Sequence, residues 1–206
     1  MFLVIALSGC ATAPDGERHP LSTSAPGCDE LLGRDRVGAV VRAMGGGPFT
    51  AFSSSNQVAQ AAESLSSTAV RWKPGESPSV GDGTEPCGLQ SLKNTARFSV
   101  TVHWAPFTLD MLRSRVPREP YEPVGDGLYL QRSAETYPVL RLAMACKVRG
   151  TPPEQAAALP LEVQVRLERL DASGARLQED VVLHVARQMV RYIPCRNHPR
   201  IPDTVR

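Results

Sequence analysis

Four histidines, His19, His103, His184 and His198, are the imidazoles this chain offers for acid–base or metal chemistry near neutral pH. A serine nucleophile on a strained strand-to-helix elbow would read Gly-x-Ser-x-Gly, and that motif is missing. The base of a catalytic triad would have to be His103 or His184, because His19 lies in a polar leader and His198 in a C-terminal tail. His103 stands between Val102 and Trp104 on the polar side of an alternating run, the place of a solvated sheet-surface histidine. His184 follows Val181 by three residues, beside an apolar helical stripe, and reads as a packing residue. Neither His-x-x-x-His nor an Asp-rich calcium loop occurs, so Gly81-Asp82-Gly83 and Gly125-Asp126-Gly127 are expected to be backbone turns. Gly45-Gly46-Gly47 lacks the Lys-Ser/Thr of a phosphate-binding loop and reads as a helix terminator. Glu119, Glu122 and Asp126 share a Pro-rich stretch with Tyr121, where a carboxylate pair for glycosidic chemistry would fit. Long-loop acids are usually solvated, and contact with a partner suits Ala105 to Gly127 better than catalysis does. No catalytic residue, cofactor site or metal site is assigned.

The cysteines say more. Phe2 to Leu7 is an apolar run leading into Leu7-Ser8-Gly9-Cys10, an aliphatic residue and two small ones before a cysteine. That order resembles the signal of bacterial lipoproteins, in which small side chains let the bond enter a narrow intramembrane protease and the cysteine becomes lipidated. The resemblance implies a signal peptide over residues 1–9 and an acylated Cys10. Residues 10–27 then form a tether, because ATAPDGERHPLSTSAPG has almost no large apolar side chain with which to fold. Charges interrupt every later apolar run, so any membrane attachment would be through lipid. Cys28, Cys87, Cys146 and Cys195 remain, an even number that argues for two disulfides in an exported chain, with three possible connectivities. Their wide spacing holds no Cys-x-x-Cys, against zinc ribbons and thioredoxin-like chemistry.

The elements that must position these groups follow from periodicity. Asp29 to Met44 predicts a helix, stopped by Gly45-Gly46-Gly47-Pro48. Ser55 to Ala69 predicts a second, capped by Asn56 or a neighbouring serine. Lys73 to Pro86 is too rich in Gly and Pro for regular structure. Ala96 to Trp104, Val139 to Val148 and Leu161 to Leu167 alternate apolar and polar residues as strands do, and Leu128 to Gln131 is a short candidate. Leu109 to Val116 suits one or two helical turns within an otherwise irregular stretch. Ala175 to Tyr192 carries Leu177, Val181, Val185 and Met189 at spacings of four, a last helix.

These faces are buried together by an α+β fold: an antiparallel sheet of about three to five strands, with N-terminal and C-terminal helices on its apolar side. A Cys146 to Cys195 bridge would staple the last helix to the sheet. Cys28 to Cys87 would then tie the first helix to the loop before the first strand. The 206 residues suit one domain, over 28–198, with a tail at 199–206. Aromatics at 5% leave few stacking platforms, and a net charge of +2 with interspersed signs disfavours nucleic acid. Lysine occurs only at Lys73, Lys93 and Lys147, an arginine bias that suggests a high-GC genome.

The order of features, with a cysteine-led first helix, a second cysteine before or on the first strand, a third in Leu142-Ala143-Met144-Ala145-Cys146 and a fourth closing the last helix, resembles a group of actinobacterial secreted lipoproteins. The resemblance spans residues 28–198 and implies an envelope location, on the outer face of the cytoplasmic membrane, without implying an activity. The expectation is a non-enzymatic, lipid-anchored module that binds an envelope protein, a wall polymer or a small ligand. The alternative is an envelope-acting hydrolase whose site the sequence does not reveal.

Overall fold

A computed structural model describes residues 25–52, 58–76, 83–114, 120–133, 138–168 and 172–205. The lipobox with Cys10, the tether up to residue 24, the Asn56 cap, Gly81-Asp82 and Glu119 lie outside the described residues.

Helix α1 (Pro26–Leu32) begins on a proline, whose missing N–H costs nothing at a helix start. Gly33, at φ 79° and ψ 150°, occupies a region essentially reserved for glycine, and it breaks the helix before α2 (Arg34–Ala43) restarts. The single helix expected from Asp29 to Met44 is therefore two, because periodicity does not register a backbone break that keeps both apolar faces inward. Gly45, Gly46 and Gly47 all take positive φ, and the Gly46 N–H caps the carbonyl of Val41, the expected stop.

Strand β1 (Phe49–Phe52) leads to α3 (Val58–Arg71), then β2 (Thr84–Ser91) and β3 (Arg97–Trp104). Helix α4 (Leu109–Arg113) follows, capped by the Thr108 hydroxyl. After it come β4 (Glu122–Gly125), β5 (Leu128–Ser133), β6 (Val139–Met144), α5 (Gln155–Ala158), β7 (Leu161–Leu167) and α6 (Ala172–Tyr192).

The strands form one sheet in the order β1-β2-β3-β7-β6-β5-β4, every neighbouring pair antiparallel. Seven strands replace the expected three to five. Two of the additions, β1 and β4, are four-residue edges, too short for alternation to show. The third, β2, begins at Thr84 inside the Lys73 to Pro86 stretch expected to be irregular, and carries Pro86. Pro86 sits where the register with β3 shifts and beyond the end of β1, so no ladder bond is lost to it. Strand β6 ends at Met144, four residues before its expected end, because Ala145 to Lys147 turn away to bond Gly127 and Asn197.

Helices α1, α2, α3 and α6 cover one face, over Leu89, Phe98, Val100, Val102, Leu142, Val163 and Val165. Trp104 reaches through that layer to donate its indole N–H to the Leu65 carbonyl of α3. Helix α4 lies across the opposite face, where Leu109, Leu112, Tyr121, Tyr129 and Ala143 form a second small cluster. Residues 199–205 run back along α6: Arg187 bonds Pro202 and Asp203, and Ile201 and Val205 pack against the core.

Two disulfides brace the helical face, Cys28–Cys87 from α1 to β2 and Cys146–Cys195 from the end of β6 to the end of α6. All four cysteines are buried. Such bridges persist in oxidising compartments and point to an extracytoplasmic environment. Among the described residues no helix is long and apolar enough to cross a membrane.

Candidate functional site

The face away from the main helices carries the polar alternate residues of each strand. Register places Phe52, Gly88, Ser99, Arg166, Val139 and Ser133 in one row across it. Thr101, Gln164, Arg141 and Gln131 form the next. His103, Glu162, Ala143 and Tyr129 form a third, which α4 and Tyr121 cover. Ser99, Thr101, Gln164 and Arg166 remain partly exposed.

The covered row holds a buried polar cluster. Glu162 is 2% exposed. Its Oε2 accepts the Tyr121 hydroxyl at 2.6 Å, and its Oε1 lies 3.1 Å from His103 Nε2 and 3.9 Å from Arg141 Nε. Arg141 also donates to Gln131 at 2.8 Å and to Gln164 at 3.4 Å. Burial, then the neighbouring carboxylate, push the Tyr121 hydroxyl far above its ordinary range, so it stays a donor. A buried carboxylate needs such partners, since an uncompensated one costs several kcal/mol, roughly. Strict alternation placed Glu162 and His103 on a wet face; the α4 segment folding over that face is what dries them.

Chemically the cluster is a carboxylate–imidazole pair with a phenol donor. In a relay the second imidazole nitrogen would hold a nucleophile; His103 Nδ1 is buried and bonded to no hydroxyl or thiol among the described residues. The cluster also ties the covering segment down: Tyr121, beyond α4, bonds Glu162 of β7 across the sheet. The other candidates are not brought to it. Glu122 is exposed and paired with Arg132, and Asp126 lies in the β4–β5 turn, as Gly125-Asp126-Gly127 suggested. Toward the β2 side, burial raises the Glu85 carboxyl, an effect countered by Arg166 and Arg97.

His184 sits on α6 against α1 and α2, half-buried, the packing position expected of it. Burial, then Arg36 and Arg187, depress its pKa, with Asp180 and the Leu31 backbone opposing. The unfolded imidazole takes its proton near pH 6.5, roughly, and the folded one at lower pH. Stability from this group is thus full above that value and is lost as pH falls through it. The urea midpoint should drop more for the wild type than for His184→Gln between about pH 7.5 and 5.5. Equal drops in both proteins would show that His184 carries none of it.

No family model matches the chain, and neither a curated protein nor a solved structure matches it.

Proposed function

We propose that this chain is a lipid-anchored, extracytoplasmic binding module of the cell envelope, acylated at Cys10 and akin to secreted actinobacterial lipoproteins. It binds an envelope protein, a wall polymer or a small ligand rather than catalysing a reaction. The observation that carries this is the pair of buried disulfides, which suits a chain that matures outside the reducing cytoplasm. Two features support binding over chemistry. The partly exposed rows around Gln164 and Arg166 offer hydrogen-bond donors and acceptors with no helix over them among the described residues. The His103–Glu162 pair, in contrast, lacks a nucleophile on its free nitrogen.

Intact-mass analysis of the membrane fraction tests the address. The expected product starts at an acylated Cys10 and shows no titratable thiol in denaturant until a reductant is added. A full-length cytosolic product with Met1 retained, Cys10 unacylated and five free thiols would overturn the reading.

A further inference from the structure

The Cys146–Cys195 staple brings residues 145–153 against residues 189–202. Val148 bridges to Cys195, the Arg196 N–H donates to the Lys147 carbonyl, and Asn197 bonds both Ala145 and Lys147. The two segments supply Lys147, Arg149, Arg191, Arg196, His198 and Arg200 and contain no Asp or Glu. In a chain with 23 basic and 21 acidic residues, this corner holds a single sign of charge.

Lys147 is tied to the carbonyls of Thr151 and Pro152. Arg149, Arg191, Arg196 and Arg200 are exposed and have no carboxylate partner among the described residues. Elsewhere Arg36, Arg113, Arg132, Arg141 and Arg187 each have one. Arg191, Arg196 and His198 line one open depression. Three acids border the corner: Asp203 pairs with Arg187, Glu30 accepts the Tyr192 hydroxyl, and Glu154 is exposed, against five Lys and Arg within it.

The Tyr192 bond at 2.9 Å also locates the chain's entry. Glu30 lies one helical turn after Pro26, where α1 begins, so the leader joins the domain beside the last turn of α6. Cys10 and Pro26 are 16 residues apart, a reach of at most about 55 Å. A lipid on Cys10 would place the chain's attachment beside this corner and keep the domain within about 55 Å of the bilayer.

We propose that the corner docks on anionic phospholipid headgroups, so that the domain lies against the membrane that anchors it; this rests on the reading of Cys10 as lipidated. Each unpaired cation near such a surface raises partition about fivefold, and salt screens the effect. Acyl chain and basic patch then act as two linked attachments.

The test is cosedimentation of the full chain, as the acylated product and as non-acylated Cys10→Ser, with phosphatidylcholine vesicles containing or lacking phosphatidylglycerol. The Cys10→Ser chain should sediment only with phosphatidylglycerol and release as salt is raised. Arg191→Gln/Arg196→Gln/Arg200→Gln should weaken it about a hundredfold. The charge-matched Arg71→Gln/Arg97→Gln/Arg176→Gln should not, and unchanged melting of the patch variant would show that its fold is kept. Equal losses in both triple variants, sedimentation indifferent to phosphatidylglycerol, or capture by soluble polyphosphate but not by vesicles would overturn the proposal. Failure of the anchor is distinct: the host-made chain would then behave as Cys10→Ser does while vesicle docking persists.

Discussion

Gln155→Ala is expected to cost about 3 to 5 kcal/mol of folding stability, among the largest effects any single substitution here can have. Gln155 is 0% exposed, and its amide satisfies four groups at once. Its Nε2 donates to the carbonyls of Cys146 and Leu159, and its Oε1 accepts the Val148 N–H and the Thr151 hydroxyl. Three of these are backbone groups freed where the chain leaves β6 and has not yet entered β7. Without the amide, three buried backbone groups lose their partner, each at about 1 to 3 kcal/mol. Urea unfolding at fixed pH measures the loss, and one below about 1 kcal/mol would mean that the 145–159 segment holds its shape without Gln155. Gln155→Glu is a sharper probe, because it keeps the volume and the acceptor oxygen for Val148 and Thr151 but puts a second oxygen where the amide nitrogen donated to Cys146 and Leu159.

Cys146→Ala/Cys195→Ala should lower stability by about 4 kcal/mol, the chain-entropy value for a loop of this size. The two residues are 49 apart in sequence. The same substitution at Cys28 and Cys87, 59 apart, should cost a similar amount, since the dependence on loop length is logarithmic. The two variants differ in what they release. Losing Cys146–Cys195 frees the end of α6, so limited trypsin digestion should speed up at Arg196 and Arg200. Losing Cys28–Cys87 should instead expose Arg34 and Arg36 at the α1–α2 break. Identical digestion patterns would show that the bridges act on the chain as a whole and brace no particular element.

The parts of the fold legible in sequence were those whose side chains repeat. The alternation in Arg97 to Trp104 and Leu161 to Leu167 located β3 and β7, and the spacing of Val181, Val185 and Met189 located α6. The favoured pairing of the cysteines also emerged, because Cys146 and Cys195 flank elements that must pack together. Elements with backbone reasons stayed hidden. The break at Gly33 depends on a torsion angle, β2 on a register shift beside Pro86, and β4 on a partner strand that supplies its order. The cluster at Glu162 was illegible for another reason. Its residues come from β3, β6, β7 and the segment after α4, and only the closing of α4 over the sheet makes a polar row into a buried one. A faint signal existed in Tyr121, the one aromatic in a run of prolines and acids, but it named no partner.

The two bridges are consecutive along the chain, neither nested nor crossed. A polypeptide threaded N-terminus first through a membrane pore delivers its thiols in the order in which they pair. In an exported chain whose Cys10 is acylated, Cys87 would emerge to meet Cys28 before Cys146 appears, and Cys195 would then find only Cys146 unspent. For such a chain, vectorial secretion coupled to a simple dithiol oxidase would reach the native pairing without an isomerase, whereas refolding the reduced, Cys10-acylated chain from denaturant would open all three pairings at once.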